Sequence, residues 1–308
     1  PMVTCRLPSI GDHVMGLDRL VALGGPALTQ AAFPWLSAQR QRGQAARPLP
    51  VIVALPPRSR PGFDPRLESQ LLAGLEARSQ VPIDHARSTL VLGCRGGGAH
   101  AFEIALERLR SGEHDAVAVG GVDSFFDPDA LEWLDRELRL HSMHTENGFI
   151  PGEGGGFVVL AARGRAGSLP RLGQVLGAAV GAEPRPYGSD EPCLAHGIMA
   201  AVKRAAAPLG VRARRIPWVM NDVVNERHRV DEWSYVMARA FEAFSPDVIC
   251  EQPLLKTGDL GAASAPVMLA MATVRWETRC APGDCVLIGT HSEGPERGAL
   301  LASVDPAR

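Results

Sequence analysis

A glycine-rich turn between a strand and a helix constrains this chain more than any other feature. The apolar residues 90–92 predict a short buried strand, which stops at Gly93-Cys94-Arg95-Gly96-Gly97-Gly98. Apolar residues at helical spacing follow until Gly112, and the apolar residues 116–119 predict a second buried strand. A strand, a sharp turn, a helix and a second strand form a βαβ unit, and folds built from such units place their chemistry at that turn.

Two longer motifs lie within residues 90–160. The first is Gly98-Ala99-His100-Ala101, which leads into Leu109-Arg110-Ser111-Gly112 and then into Ala118-Val119-Gly120-Gly121-Val122. The second is Asn147-Gly148-Phe149-Ile150-Pro151-Gly152-Glu153-Gly154-Gly155-Gly156, which leads into Phe157-Val158-Val159-Leu160. Together they resemble the β-ketoacyl synthases of the thiolase superfamily, which carry a reactive cysteine on such a turn. The resemblance is specific over this stretch and fainter over the rest of the chain.

An internal repeat supports the fold that this resemblance implies. In both halves a glycine turn and a helix of small residues lead to a strand, Asp115-Ala116-Val117-Ala118-Val119-Gly120 in the first and Asp284-Cys285-Val286-Leu287-Ile288-Gly289 in the second. Members of the superfamily pack two such halves as a five-layered α/β/α/β/α sandwich. The prediction is therefore an α/β, thiolase-like five-layered sandwich built from two repeated halves, residues 1–166 and residues 167–308.

Composition excludes several classes of function. The 308 residues carry a formal net charge of −2, so no strong field attracts nucleic acid or an anionic membrane. No apolar run reaches the ~18 residues of a membrane span, and no secretory signal opens the sequence. The six cysteines show no Cys-x-x-Cys spacing, so neither a zinc site nor a disulfide framework is predicted. A cytoplasmic, reduced protein without metal or cofactor is expected.

Condensing enzymes need a cysteine thiolate at a helix N-terminus, where the helix dipole lowers its pKa. An ungapped comparison with the family's Cys-x-x-Gly-x-His pattern, anchored on Gly98 and His100, places Arg95 at the nucleophile position. A guanidinium stays protonated and has no lone pair to offer, so it cannot act as the acyl nucleophile. Cys94 is the catalytic candidate if the turn holds one extra residue; otherwise it is a small buried residue at a strand end.

The family also uses two imidazoles, or one imidazole and one asparagine, to stabilise the enolate and the thioester oxygen. Where the family has Asn-Ala-His-Gly-Thr, Asn221 falls nearest the expected place, and His228 lies seven residues later among charges. His228 is expected to be a solvated surface residue. Where the family has Thr-Gly-His, this chain has Asp259, whose carboxylate would repel a developing oxyanion. Lys256 either pairs with Asp259 or points to solvent.

The family's C-terminal Gly-Phe-Gly-Gly-Thr-Asn loop is replaced as well. The run Gly289-Thr290-His291-Ser292-Glu293-Gly294-Pro295-Glu296 carries charges and a proline where the family has a flexible gate over the cysteine. His291 either approaches the site or is an ordinary loop histidine. His100 and Glu153 match family positions and are expected to be structural, with Glu153 accepting hydrogen bonds from buried backbone donors.

Four chemical features are thus altered while the glycines of the scaffold remain. This pattern predicts a β-ketoacyl synthase homologue that has lost condensation activity and acts as a partner subunit of a true synthase or as a protein-binding adaptor. The alternative is an active acyl-thioester transferase or 3-oxoacyl synthase-like enzyme that uses Cys94, helped by Asn221 and His291. The resemblance implies an acyl-carrier protein or acyl-CoA as a partner.

The resemblance also implies a homodimer, or a heterodimer with a related subunit or cargo protein, paired through residues 116–121 as a buried sheet edge. Family members open with a glycine-containing strand and loop that has no counterpart after Pro1. Either that segment precedes this sequence or the protein lacks it.

The two charged replacements, Arg95 and Asp259, fall at positions that meet in the fold. A cation at the start of a helix lies near the positive end of the helix dipole and needs a carboxylate nearby. Either charge, if buried alone, would cost several kcal/mol. The sequence therefore predicts an Arg95–Asp259 pair, direct or through one water, beside Cys94; Asn221, Lys256 and His291 complete the candidate site.

Overall fold

The computed structural model describes residues 3–41, 43, 47–165, 171–210 and 215–304. Its helices are α1 Gly16–Gln41, α2 Leu67–Ser79, α3 Cys94–Arg110, α4 Pro128–Arg136, α5 His196–Gly210, α6 Arg227–Arg239, α7 Leu254–Thr257 and α8 Ser264–Glu277. Its strands are β1 Val51–Leu55, β2 Thr89–Leu92, β3 Ala116–Ser124, β4 Glu153–Ala161, β5 Gln174–Ala182, β6 Ile216–Asn221, β7 Phe244–Glu251, β8 Cys285–His291 and β9 Glu296–Ser303.

The strands form two mixed sheets with the same internal order. The first sheet runs β2-β1-β3-β4 and the second β5-β9-β8-β6-β7. In the first, β1 pairs parallel with β2 and β3, and β4 pairs antiparallel with β3. In the second, β6 pairs parallel with β7 and β8, and β9 pairs antiparallel with β8. Strands β1 to β4 are thus repeated as β6 to β9, and β5 is added to the second sheet.

Helices cover both faces of each sheet, which gives five layers. In β1 the side chain of Val53 packs with α1 and α2, while that of Ile52 packs with α3 and α8 between the sheets. In β8, Ile288 faces the same central layer and Leu287 faces α5 and α6 on the outside. Successive side chains of a strand point to opposite faces, so strands covered on both sides must be apolar throughout. The predicted α/β/α/β/α thiolase-like sandwich is confirmed.

Helix α1 differs from the prediction because it continues through Pro26 and Pro34 to Gln41. The apolar spacing of Leu17, Leu20, Val21 and Leu28 predicts a helix over residues 14–33 that is interrupted at Gly24-Gly25-Pro26. A Cβ atom on Gly24 would lie 2.8 Å from side-chain carbons of Leu75 and of Val122. The glycine therefore serves the close packing of α1 onto α2 and the first sheet, and that tertiary packing outweighs the hydrogen bonds lost at the prolines.

Three other features of the fold also differ from the sequence prediction. Strand β9 was not predicted, because its charged start looks like a continuation of the preceding loop. The sequence pattern predicts a helix over residues 231–244, whereas helix α6 begins at Arg227 and ends at Arg239. The expectation that residues 116–121 form a sheet edge is wrong, since β3 lies between β1 and β4. Those residues are apolar because β3 is covered on both faces and paired on both sides.

The predicted boundary between residues 166 and 167 lies outside the described residues. Strands of the first sheet end at Ala161, and those of the second begin at Gln174. The division into two halves at that point stays a prediction. None of the helices in the described part of the chain is long and apolar enough to cross a membrane.

The close packing of β3 onto the segment before α8 can be tested with one methyl group. A Cβ atom on Gly121 would lie 2.3 Å from the carbonyl oxygen of Ala262, a backbone atom that cannot rotate away. We expect Gly121→Ala to lower the free energy of unfolding by about 1–3 kcal/mol in urea denaturation, as overpacking does. The matched control is Gly154→Ala in β4, whose Cβ would meet Leu260 at 3.5 Å, an ordinary contact. Equal losses in the two variants would contradict this account.

Candidate active site

The site begins at the turn between β2 and α3. The glycine-rich run predicts a helix that starts at Gly98, but helix α3 starts at Cys94. Gly93 is its N-cap, and the Gly97 N–H donates a hydrogen bond of 2.7 Å to the Gly93 carbonyl. Cys94 has φ +43°, a left-handed conformation that costs a non-glycine residue on the order of 1–3 kcal/mol. Cys94 is only 2% exposed. The turn therefore does accommodate Cys94 at the helix start, with its sulfur buried.

Charged groups surround the Cys94 sulfur. The Arg60 Nη2 donates a hydrogen bond to it at 3.3 Å, and the thiol donates to Oε2 of Glu293 at 3.2 Å. Burial raises the pKa of the Cys94 thiol to about 12, and the Glu293 carboxylate adds to that rise, while Arg95 and Arg60 oppose it. The helix N-terminus alone would lower this pKa. In this structure the effect of burial on the pKa is larger than that of the helix N-terminus, so the thiolate is disfavoured at neutral pH.

The predicted Arg95–Asp259 pair is confirmed. The Nη2 of Arg95 lies 2.6 Å from Oδ2 of Asp259, and its Nε lies 2.9 and 2.8 Å from the two carboxylate oxygens. The side chains are 1% and 0% exposed. Burial acts to raise the pKa of Asp259, but the guanidinium groups of Arg95 and Arg229 outweigh it and hold that pKa below its ordinary range. The carboxylate is therefore ionised.

The pair belongs to a closed ring of alternating charges. Starting from Asp259, its Oδ2 lies 2.9 Å from Nη1 of Arg229, whose Nη2 lies 2.6 Å from Oε2 of Glu226. The other Glu226 oxygen accepts from Nε of Arg139 at 2.7 Å. The ring closes through Glu293 Oε1, which lies 3.3 Å from Arg139 Nη2 and 2.6 Å from Arg95 Nη1. We call this set the charge ring: Arg95, Asp259, Arg229, Glu226, Arg139 and Glu293.

An aromatic ring packs against the charge ring. The guanidinium carbons of Arg95, Arg139 and Arg229 lie 5.4, 5.4 and 5.6 Å from the centroid of the Phe149 ring, within the range of cation–π attraction. Phe149 comes from the glycine loop of the second sequence motif. The carbonyl of the next residue, Ile150, accepts from the Asp259 N–H at 2.8 Å. The glycine loop thus positions both an aromatic wall and the ring's Asp259.

A further buried pair adjoins the ring. The Arg60 Nη1 lies 2.5 Å from Oδ1 of Asp123, whose Oδ2 accepts from the Ala262 N–H at 2.8 Å. With this pair, four guanidinium groups and four carboxylates lie around the start of α3, so their formal charges cancel. Because each charge has a partner of opposite sign, none of them is left to attract a substrate charge while the ring is closed.

The loop between β8 and β9 carries Glu293 into the ring. The Ser292 Oγ accepts from the Gly96 N–H at 3.0 Å and thereby satisfies one of the free donors at the start of α3. Arg297 donates to the carbonyls of Ser292 and Gly294 at 2.9 and 2.7 Å. The Glu293 side chain is nevertheless 25% exposed, whereas the other ring members are at most 2% exposed. Glu293 is the solvent-facing member of the charge ring.

Asn221 and His291 are buried, but their partners lie elsewhere. The Asn221 Oδ1 accepts from the Val223 N–H at 3.2 Å, and the His291 Nδ1 lies 2.7 Å from Oδ1 of Asp222. Neither contacts Cys94 among the described residues. Lys256 is exposed, and Asp259 is paired with arginines instead. Of the two possibilities for Lys256, the solvent-facing one is correct.

The structure contradicts the roles expected for His228 and His100 and supports the one expected for Glu153. His228 is half-buried and stacks on Tyr187 with ring centroids 4.5 Å apart, so the expectation of a solvated residue is wrong. Burial lowers the pKa of His228 to about 4. His100 is exposed, so the expected packing role is wrong as well. Glu153 accepts one backbone hydrogen bond, from the Leu7 N–H at 2.7 Å, and pairs with buried Arg19, so its expected acceptor role is confirmed for a single, part-buried backbone donor.

The described residues bring one set of metal-ligand types together. Oxygen and sulfur atoms of Glu183, Cys193 and Glu232 lie within 4.8 Å of one another. Both Glu232 oxygens, however, accept from Arg297 at 2.7 and 2.8 Å. Burial also raises the pKa of the Cys193 thiol to about 12. An ion pair and a protonated thiol account for this cluster without a metal.

Sequence reasoning missed most of the charge ring. Glu226 and Arg229 stand three residues apart at the start of α6, a spacing that places them on one helix face and could have pointed to a pair. Glu293 lies in a loop already known to be altered. Arg60 and Arg139 come from irregular segments with no periodic pattern, so no local signal identifies them.

Comparison with known proteins identifies the fold. The family described as "Beta-ketoacyl synthase, N-terminal domain" matches residues 89–166. A search of curated protein sequences returned no match. Among solved structures, an oxazolomycin ketosynthase domain from Streptomyces albus JA3453 is 18% identical, with a TM-score of 0.65 over 94% of this chain and 80% of that one. The predicted resemblance to the β-ketoacyl synthases and the thiolase-like fold are confirmed.

Two further structures come from complexes. A structure described as a type II polyketide synthase acyl-carrier protein in complex with its ketosynthase is 12% identical, with a TM-score of 0.73 over 98% of this chain and 88% of that one. The ishigamide ketosynthase/chain length factor is 19% identical, with a TM-score of 0.62 over 98% and 87%. Some other matched ketosynthases are longer, and this chain spans 59% of their length.

Removing the carboxylate shared by two ring arginines should be costly. In Asp259→Ala the guanidinium groups of Arg95 and Arg229 lose their common partner while staying buried. We expect the free energy of unfolding, measured by urea denaturation at neutral pH, to fall by about 3–5 kcal/mol. The control is Glu132→Ala, which breaks the exposed Glu132–Arg136 pair and should change it by less than about 1 kcal/mol. A loss at Asp259 no larger than the control would contradict the buried pairing.

The same residue gives the protein a pH dependence with a definite sign. Because its pKa is lower in the folded than in the unfolded chain, its contribution to stability is complete above the unfolded value, near pH 4, and is lost as the pH falls through the folded value. The free energy of unfolding of Asp259→Asn should therefore fall less steeply below about pH 4 than that of the unchanged protein. If the free energy of unfolding of the two proteins fell in parallel as the pH was lowered, Asp259 would not contribute to the pH dependence of stability.

Proposed function

We propose that this protein is a β-ketoacyl synthase homologue without condensation activity, which acts as a partner subunit of a synthase or as a protein-binding adaptor. The observation that carries the proposal is the closed charge ring around the start of α3. Condensation requires a thiolate there and hydrogen-bond donors that are free to bind a developing oxyanion. In this structure the Cys94 thiol beside the ring is protonated, and the guanidinium groups of the ring already have carboxylate partners.

The environment of Cys94 supports this proposal most directly. Its thiol is 2% exposed, its pKa is raised to about 12, and it donates a hydrogen bond to Glu293. A thioester approaching the sulfur would meet the carboxylates of Glu293 and Asp123, which repel the charge that develops on its oxygen. Asp259 stands where the family has a histidine, and it is tied to two arginines. Each change acts against acyl transfer.

The exposed surface near the ring supports a role in binding a partner. Leu138 and Met143, 69% and 92% exposed, lie in the segment that also supplies Arg139 and leads to the glycine loop. Large exposed apolar side chains are common at protein contact surfaces. The matched structures include a ketosynthase bound to its acyl-carrier protein and a ketosynthase/chain length factor. By analogy, the partners proposed here are an acyl-carrier protein or acyl-CoA, and a second copy or a related subunit, in the cytoplasm.

An active acyl-thioester transferase that uses Cys94 is the second candidate. The strained backbone of Cys94, with φ +43° at the first residue of a helix, favours it. Strain of this kind is concentrated at functional sites. Arg60 and Arg95 also lie close enough to the sulfur to stabilise a thiolate if Glu293 moved away. The two candidates therefore differ in whether Cys94 reacts in the protein as it stands.

Selective alkylation separates these candidates. Cys280 is exposed, and its pKa is lowered by Thr278, whose Oγ lies 3.2 Å from the sulfur, and by Arg275. We expect iodoacetamide at neutral pH to modify Cys280 first and to leave Cys94 unmodified, as peptide mass spectrometry would show. Cys280→Ala should remove the rapid reaction. An acyl adduct on Cys94 after incubation with acyl-CoA or an acyl-carrier protein would overturn the proposal in favour of the enzyme.

Assembly provides a second test. If the protein pairs with a second copy, light scattering at low micromolar concentration should give about twice 32.8 kDa. Replacing both exposed apolar residues, Leu138→Asp with Met143→Asp, should reduce the mass to that of one chain if this surface forms the contact. A monomer before any substitution would exclude the homodimer, and only binding to a different protein, a related subunit or the target of an adaptor, would then fit the proposal.

A further inference from the structure

Glu293 differs from the other members of the charge ring in how it is held. Its side chain is 25% exposed, and its backbone belongs to the loop between β8 and β9. Hydrogen bonds from Arg297 fix the carbonyls on either side of it, Ser292 and Gly294. The Glu293 side chain can therefore rotate into solvent without moving the loop backbone, a freedom that the buried ring members lack.

We propose that the position which the Glu293 carboxylate occupies between Arg95 and Arg139, at the start of α3, is a binding site for a ligand that carries a carboxylate group, and that Glu293 fills this site as an internal substitute. The inference rests on the proposed function, because the ligand is held by charge and hydrogen bonds, with no covalent bond to Cys94. It adds to that function the chemical class of the ligand.

The charge balance determines which ligand fits. With Glu293 turned away, the site holds the guanidinium groups of four arginines and three carboxylates, which leaves a net charge of +1 in a buried space. Arg95 Nη1 and Arg139 Nη2 lose their acceptor at the same time. A buried uncompensated cation is costly, so an anion with a single charge would be drawn in. A carboxylate supplies that charge and two acceptor oxygens.

Glu293 itself satisfies the site incompletely. It reaches Arg139 Nη2 at 3.3 Å, and in the described part of the chain Arg139 Nη1 has no hydrogen-bond partner, although the side chain is only 2% exposed. A free carboxylate is not tethered to the loop and can engage both nitrogens of this guanidinium in the bidentate geometry that such pairs favour. Arg139 Nη1 is thus a buried donor that Glu293 leaves without an acceptor.

Two aromatic rings lie beside the arginines and could contact the carbon atoms of a ligand next to its carboxylate group. Phe149 and Phe125 pack edge to face with ring centroids 5.3 Å apart, and Arg60 and Arg95 lie over the Phe125 ring at 4.2 and 5.7 Å. Guanidinium groups stacked on aromatic faces keep their hydrogen-bonding edges free for an anion. The site therefore offers charge at one end and apolar contact beside it.

Acetate is the probe that tests this site, used with Glu293→Ala. In sodium chloride this variant should unfold at a lower temperature than the unchanged protein, because Arg95 Nη1 and Arg139 Nη2 lose the carboxylate that they share. Sodium acetate at equal ionic strength should raise the midpoint of the variant in a saturable way, as expected for a ligand that binds only the folded state. The unchanged protein and the control variant Glu132→Ala should show no such rise. If acetate stabilises all three equally, the proposal is overturned.

A second measurement uses the sulfur as a reporter. In Glu293→Ala the carboxylate that adds to the rise in the Cys94 pKa is gone, and iodoacetate carries a carboxylate that the site should hold. At each cysteine we compare the rate of modification by iodoacetate with the rate by iodoacetamide. This ratio should be at least about ten times larger at Cys94 than at Cys280, which corresponds to about 1.4 kcal/mol of binding preference. Similar ratios at the two cysteines would overturn the proposal. Glu293→Ser, which also vacates the position of the carboxylate, serves for both measurements if the alanine variant does not fold.

The two proposals fail in different ways. An acyl adduct on Cys94 of the unchanged protein would overturn the proposed loss of condensation activity. Absence of acetate rescue in both Glu293 variants would overturn the carboxylate site and leave the proposed function as it stands.

Discussion

The buried ion pair between Arg95 and Asp259 is the interaction on which the rest of the site depends. Arg95 is the second residue of α3, in the first half of the chain, and Asp259 follows α7 in the second. The backbone of Asp259 is hydrogen-bonded to Ile150 and Gly152 of the glycine loop. One residue therefore ties together the start of the central helix, through its carboxylate, the glycine loop, through its backbone, and the second half. Such a pair adds little net stability but is costly to break, so it fixes geometry more than it stabilises the fold.

The charge ring repeats this pairing of buried opposite charges over six side chains. Each carboxylate is shared between two arginines, so the removal of any one leaves two guanidinium groups short of a partner. That mutual dependence explains how so many arginines can be buried in one place. The same surroundings act on the cysteine: burial and Glu293 raise the pKa of Cys94, and the arginines that oppose this rise are paired with carboxylates.

The repeated architecture brings these groups together. Cys94 follows β2, Asp123 lies near the end of β3, and Glu293 follows β8, each at the carboxyl end of a parallel strand. The carboxyl ends of such strands meet at one edge of a sheet, and two sheets packed on α3 and α8 direct both edges to the same space. The scaffold is that of the β-ketoacyl synthases, while the side chains placed at its functional edge are charged pairs.

Sequence alone determined the βαβ unit, the glycine loop, the repeat and the Arg95–Asp259 pair, because local periodicity specifies strands and helices and both charged positions are anchored to motifs. It did not determine that α1 continues through its prolines, that β3 is an interior strand, or that Arg60, Arg139 and Glu293 join the site. Those outcomes depend on contacts between segments far apart in the chain, and only the packing of the two halves brings them within reach. The burial that raises the pKa of Cys94 is likewise a property of the assembled layers, since the residues beside it in sequence would leave it at an open helix end.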